Sequence, residues 1–207
     1  MIVIMIGYGE EDEVYKRCRK VWELYIATIN LQDVKIFFHQ TKYGQSEEII
    51  SDRLDLYVKN KFEQGAIKSK QAVDLTDNLG VPSDWTKLGN LEMIERNRSA
   101  TRWVLETYAD TCTHIFYTTV TSILSVNILK ALVDHIPKRN VYAGMPGVFK
   151  TFFGYSPFIF ISGSNTLLSS DIAKQTLEYK EVDTLGLPND VWLGLRLAVM
   201  KKICIPS

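Results

Sequence analysis

Phe160-Ile161-Ser162-Gly163-Ser164-Asn165-Thr166-Leu167-Leu168-Ser169-Ser170-Asp171 and, sixteen residues on, Leu187-Pro188-Asn189-Asp190-Val191-Trp192-Leu193-Gly194 carry the strongest signals in the chain. The first stretch reads as a buried strand (Phe158 to Ser162), a turn of small residues and a helix capped by Ser170. The second reads as a helix with Pro188 at its first position, Asp190 in its first turn and a buried stripe of Val191, Trp192, Leu195 and Val199. Glycine and serine let a bulky polar ligand approach backbone closely. A carboxylate in a first helical turn is held rigidly and can face such a ligand. The pair predicts a site for hydroxyl-rich molecules such as sugars.

Upstream, strands and helices alternate. Ile2 to Ile6 is a continuous apolar run entering Gly7-Tyr8-Gly9, the pattern of a buried strand and its loop. Val14, Cys18, Val21, Trp22 and Tyr25 share one helical face, with Lys16, Arg17, Arg19 and Lys20 turned away from it as a solvated face. Val34 to His39 reads as a second buried strand, Ile49 to Phe62 as a helix, and Ala72 to Leu75 as a short strand ending near Asp74 and Asp77. Leu79 to Gly89 has loop composition, and Glu92 to Tyr108 reads as a long helix bearing Arg96, Arg98 and Arg102. His114 to Thr119 is a strand. Ile128, Leu129, Leu132, Val133 and Ile136 mark a helix stopped by Pro137. Val141 to Ala143 is a short strand, and Gly144 to Tyr155, rich in Gly and Pro, reads as a loop. The alternation predicts an α/β fold with a largely parallel sheet. Such sheets bind ligands beyond the carboxyl ends of their strands, here after Ile6, Leu75 and Thr119.

The chain has 207 residues, 46% of them hydrophobic, enough for one sizeable domain. Its 24 basic residues balance 24 acidic ones, which disfavours a duplex nucleic acid partner, since that needs a cationic surface. Cys18, Cys112 and Cys204 are far apart and form no CxxC pair, so they read as reduced, mostly buried thiols. Met1 to Ile6 lacks the basic flank and the length of a signal peptide, and no run reaches membrane-spanning length. The expectation is a soluble protein without a transmembrane segment, in the cytoplasm. The end at Lys201 to Ser207 is also what a cut from a longer chain would leave.

Several chemistries lack their motifs. There is no Walker phosphate loop and no GxSxG elbow, and Gly7-Tyr8-Gly9 is only a fragment of a dinucleotide fingerprint. His39, His114 and His135 are scattered and read as structural or surface groups. Asp190 has two readings: a carboxylate satisfying free helix amides, or a general base taking a proton from a hydroxyl. Asp74 and Asp77 read as turn formers or as oxygen ligands for a hard cation. Arg96 is a solvated helix charge or an anion contact. Trp103 and Trp192 sit on apolar helix faces and read as core; Trp85 is free to stack on a base or sugar.

The ordered set of these features from about Leu91 to Leu197 resembles the GT-A class of nucleotide-sugar glycosyltransferases, most closely the fringe and β-1,3-galactosyltransferase type. Val141-Tyr142-Ala143-Gly144 resembles the family's Y-x-G step, Ser162-Gly163 through Ser170-Asp171 its SGxxxxxSRD segment, and Asn189-Asp190-Val191-Trp192-Leu193-Gly194 its EDVxxG motif. The first ninety residues fit only in strand–helix pattern. The compact, anchor-free chain looks nearest to capsid-glycan glycosyltransferases of large algal viruses, which would place it in the host cytoplasm.

The resemblance implies a single GT-A domain over 1–207, with 1–118 mainly binding nucleotide and 119–207 mainly acceptor-binding and catalytic. It implies an inverting hexosyltransferase that moves a sugar from a UDP-sugar such as UDP-glucose to a glycan or glycoprotein hydroxyl. Asp190 falls on the catalytic base. Gly7, Tyr8, Gly9, Asp74, Arg96, Thr119, Thr121, Gly163 and Ser164 fall around the donor. Thr119-Val120-Thr121-Ser122 departs from the family pattern, standing where the acidic metal motif belongs. Hydroxyls ligate manganese or magnesium poorly, so either Asp77 or another carboxylate supplies the metal's ligand, or phosphate oxygens and water hold most of it, or the enzyme works without metal. Two rivals are a catalytically silent nucleotide-sugar or glycan-binding module and a sugar nucleotidyltransferase. The acidic Glu10-Glu11-Asp12-Glu13 disfavours the second, whose first loop is normally basic.

Overall fold

The computed structural model describes residues 1–8, 13–43, 49–52, 55–60, 87–149, 158–178 and 187–199. Their elements, in chain order, are β1 (Ile2–Gly7), α1 (Glu13–Thr28), β2 (Val34–Tyr43), β3 (Ile49–Asp52), β4 (Asp55–Asn60), α2 (Lys87–Thr107), β5 (His114–Thr119), α3 (Val126–His135), β6 (Tyr142–Phe149), β7 (Phe158–Ser169), α4 (Ser170–Leu177) and α5 (Asn189–Val199). The fold class is α/β, as the alternation predicts.

All the described strands join one seven-stranded sheet in the order β3-β4-β2-β1-β5-β7-β6. The pairs β1–β2, β1–β5 and β2–β4 are parallel, while β3–β4, β5–β7 and β6–β7 are antiparallel. The sheet is therefore mixed: a parallel centre with antiparallel margins, where the sequence reading expected a largely parallel one. At the parallel centre β1 is an apolar strand, and both β1 and β5 are largely buried on their two faces.

Period-two alternation along β1 divides the core. Ile2, Ile4 and Ile6 pack with Trp22 of α1 and with Val126, Leu129 and Val133 of α3. Val3 and Met5 face the other way, toward Ala100 and Val104 of α2, Ile172 of α4 and Leu197 of α5. The helices thus cover opposite faces of the sheet. Trp103 packs edge-on against Phe37, and Trp192 is buried, as their apolar helix faces predicted.

Four segments differ from the sequence reading. Ile49 to Phe62 is not a helix over its described part but the strands β3 and β4. The apolar positions Ile50, Leu54 and Val58 fit a helical face, but β-branched and aromatic residues favour a strand, and pairing with β2 decides. Gly144 to Phe149 is not loop; it extends β6, which lies at the sheet edge where Pro146 is tolerated. The turn expected at Gly163-Ser164 lies inside a single twelve-residue strand, β7. Helix α2 begins at Lys87, so Gly89 is helical. Helix registers also shift slightly. The cap of α4 is Ser169, one residue earlier than expected. Trp192 N donates to Pro188 O at 2.8 Å, which makes Pro188 the residue flanking α5. On α1 and α3, Val14, Val21, Ile128 and Leu132 are exposed rather than part of the buried stripes. The predicted strand at Ala72 to Leu75 lies outside the described residues.

Two groups of polar contacts hold the margins. Val141 N donates to Ser169 Oγ at 2.9 Å, and Ser169 Oγ donates to Asp171 Oδ1 at 2.5 Å. Asp171 also accepts from Asn140 N, whose residue sits at φ 59°, a conformation asparagine tolerates. On the other face, Arg98 Nη1 donates to Thr176 O at 3.1 Å, placing a cation at the carbonyl end of α4.

Candidate functional site

The parallel strands β2, β1 and β5 bring one register row to their carboxyl ends. Gly7 pairs with His39 on one side and with Thr119 on the other. The glycine leaves a notch between them: a Cβ there would meet nothing nearer than Thr118 O at 3.5 Å and His39 Nε2 at 3.6 Å. So three chain-distant residues, two of them expected donor contacts, share one edge. Tyr8 follows, with its N donating to His39 O, but its ring is packed against Phe38 and beneath Arg19. Only its backbone faces the row's end. Thr119 Oγ1 bonds to Thr121 Oγ1 at 3.1 Å and to Ser122 Oγ at 3.0 Å, so these hydroxyls form a mutually bonded cluster.

Strand β7 supplies the second half. Its last pair with β5 is Asn165 with Thr118, so Ser164 and Gly163 continue past the carboxyl end of β5. Against β6 the register jumps from Thr166–Gly144 to Ile161–Pro146, leaving Ser162 through Asn165 opposite Met145 alone. The small residues read as a turn are a bulge, which bends the strand and re-aims its amides. Thr166 Oγ1 donates to Ser162 O at 3.0 Å across the bulge, and the Ser162 and Ser164 hydroxyls lie 3.3 Å apart.

Asp190 meets this bulge from α5. Gly163 N donates to Asp190 Oδ2 at 2.9 Å, and Val191 N donates to Asp190 Oδ1 at 2.9 Å. Gly163 and Asp190 were expected to act together, and they are in direct contact. The carboxylate is half-buried, and each oxygen keeps a further lone pair. Beside it opens a recess of about 50 Å³, lined by Asn97 and Thr101 of α2, Tyr117 of β5, Thr166 of β7 and Trp192 of α5 among others. That volume holds a few waters or a small substituent, not a whole sugar.

Asn97, Thr101 and Tyr117 were not singled out by the sequence reading. The signal was present: Tyr117 alternates with Ile115 on β5, and Asn97 and Thr101 are one turn apart on α2. Tyr117 Oη contacts Thr101 Oγ1, and burial pushes its phenol pKa up. Burial likewise raises Tyr142 to about 12, with the Asp190 charge adding in the same direction. Arg96, on α2, is close enough to act on His39 electrostatically. Gly9, Asp74 and Asp77 lie outside the described residues.

The described residues contain no group of three or more His, Cys, Asp or Glu able to hold a metal ion. The hydroxyls at 119, 121 and 122 are poor ligands and are spent on each other. No helix among the described residues is long and apolar enough to cross a membrane.

His39 stands edge-on to Tyr117, buried, with Nδ1 unbonded; burial first and Arg96 second hold its pKa well below the ordinary value. His114 is buried as well and its pKa is lowered, with burial outweighing the bond from Nε2 to Pro137 O at 3.0 Å. Both hold a proton less readily in the folded protein than in the unfolded chain, where histidine titrates near pH 6.5. Their neutral burial is therefore fully compatible with the fold above that pH and increasingly costly as pH falls below it. Urea unfolding between about pH 7.5 and 5 should show stability dropping by up to ~1.4 kcal/mol per pH unit for each histidine. His39→Phe keeps the ring contact and should flatten that slope. An unchanged slope would show that His39 does not titrate differently in the two states.

Compared with known proteins, the chain matches no protein-family model and no curated sequence.

Proposed function

We propose that the chain is an inverting glycosyltransferase of the GT-A type, moving a sugar from a nucleotide diphosphate donor, a UDP-sugar, to a glycan or glycoprotein hydroxyl. One observation supports it above the others: Asp190 is fixed against the Gly163 bulge at the carboxyl end of the parallel strands. That is the edge where α/β sheets take ligands, and the carboxylate there is both oriented and partly open.

In this reading the acceptor hydroxyl donates to a free lone pair of Asp190, which takes its proton as the oxygen attacks the anomeric carbon. The nucleotide diphosphate leaves from the opposite face. Its growing charge is met by Arg96. The two amides that hold Asp190 fix its angle of approach, since loss of orientation costs rate as surely as loss of the base. The described residues do not fit manganese or magnesium, so no step is routed through a metal; Asp74 and Asp77 keep the expectation of one from the sequence.

Calorimetry with UDP, with and without manganese, followed by donor hydrolysis and transfer assays, tests the proposal. The expected result is UDP binding together with slow hydrolysis of at least one UDP-sugar. Binding without either reaction would favour a silent binding module. Absence of nucleotide binding would end the glycosyltransferase reading.

A further inference from the structure

The hydroxyls around the recess beside Asp190 share one property. Four line it, those of Thr101, Tyr117, Thr166 and Thr176, and each has its proton engaged inside the protein. Thr166 Oγ1 donates to Ser162 O at 3.0 Å and Thr176 Oγ1 to Ala173 O at 2.7 Å. Thr101 Oγ1 donates to Asn97 O at 2.6 Å, Tyr117 Oη lies 3.4 Å from the same carbonyl, and the two hydroxyls touch. Whichever of that pair donates to the other, both protons stay among these three oxygens. What the four hydroxyls have left to offer is lone pairs.

Two further acceptors stand with them. Asn97 lines the recess, and its Oδ1 is buried with no hydrogen-bond partner among the described residues. A buried amide oxygen left unbonded is costly, so its position points to a ligand that brings the missing proton. The Asp190 carboxylate is the other, with lone pairs beyond those that meet Gly163 N and Val191 N. Arg98 borders the recess too, but its Nη1 and Nη2 donate to Thr176 O and Leu177 O at the end of α4. An anion entering here would face Asp190, and a cation would face Arg98. A neutral donor meets neither objection, and a volume of about 50 Å³ admits a hydroxyl with the carbon that carries it.

We infer that the recess is a subsite for a hydroxyl adjacent to the one that meets Asp190, so that the site takes diols, and that Asn97, Thr101, Tyr117 and Thr166 set this preference. The inference deepens the glycosyl-transfer reading and rests on it only in making the diol part of the acceptor sugar. An acceptor whose neighbouring hydroxyl is missing or capped would leave these oxygens unpaired, which is how a polar pocket rejects a near-isostere.

The test is an NMR titration of the full chain with three probes of matched size: ethylene glycol, acetone and acetate. The signals followed are the Gly163 and Val191 amides and the Thr101 and Thr166 methyls. The expected result is saturable shifts with ethylene glycol alone, weakened about fivefold or more by Asn97→Leu, the scale of one neutral hydrogen bond. Asn97 Oδ1 has no partner in the described fold to lose. Circular dichroism checks the variant; if it misfolds, Thr166→Val is read instead. Absence of shifts at these signals overturns the inference, as does binding of acetone or acetate as tight as that of ethylene glycol, or affinity that the folded variant leaves unchanged. No nucleotide enters the titration, so its failure is distinct from a failure of UDP to bind.

Discussion

Asp190→Asn should lower turnover about a hundredfold or more, the usual scale for loss of a general base, while leaving UDP affinity nearly unchanged. The amide has the carboxylate's shape but cannot take a proton from the acceptor. It also cannot replace both hydrogen bonds. Gly163 N and Val191 N each donate to one oxygen of Asp190, and asparagine offers only one oxygen. Its NH2 must face the other amide, donor to donor, at a cost of about 1–3 kcal/mol. A domain of this size then loses roughly 2–12 °C in melting temperature. The two roles of Asp190 are separable on that basis. Turnover is measured well below the variant's melting point, where nearly all of it is folded. A carboxylate that only ties α5 to β7 predicts lower stability with turnover almost intact. A carboxylate that is also the base predicts the hundredfold loss in kcat with KM for the donor little changed. Retained turnover removes Asp190 from the chemistry and leaves it as a clamp.

The sequence made the centre of the fold legible because Ile2 to Ile6 is a continuous apolar run and His114 to Thr119 is rich in aromatic and β-branched residues. Ile2 to Ile6 and His114 to Thr119 read as strands and are strands. The margins were harder, since there the decision is non-local. Ile49–Asp52 and Asp55–Asn60 are strands because they pair outward from β2, and β6 is strand although Gly144, Pro146 and Gly147 have loop composition. Exposure was misread for a related reason. Periodicity shows that Val14, Val21, Ile128 and Leu132 share apolar faces, but not how far the sheet reaches beneath each helix. Gly163 and Asp190, twenty-seven positions apart, were expected at one site from residue type, though not the bond between them, whereas the recess residues Asn97, Thr101 and Tyr117 were not expected there. They are ordinary residues for a helix and a strand. Only the crossing of α2 over β5 makes them neighbours of the carboxylate.

Gly144→Ala should be the most damaging small substitution among the glycines of the sheet. Gly144 lies at φ +150°, a conformation side chains rarely adopt, and a Cβ there would sit 2.2 Å from Asn165 O and 2.4 Å from Ile161 Cγ2. Asn165 O is backbone, so relief requires the bulge itself to move. Strain and overpacking each cost about 1–3 kcal/mol, and together they claim a large part of a domain's usual 5–15 kcal/mol. A melting temperature lower by roughly 5–20 °C is expected. The effect should reach the site, because Asn165 belongs to the same bulge as Gly163, whose amide holds Asp190. Turnover of the folded fraction should therefore fall as well. Gly7→Ala is the control. Its new methyl meets nothing closer than 3.5 Å, so stability should change by less than about 1 kcal/mol, while a ligand lying in the notch between His39 and Thr119 should bind more weakly. If Gly144→Ala unfolds at the same temperature as the parent, β6 does not press on the bulge at this point. The register jump would then have no part in aiming Gly163 at the carboxylate.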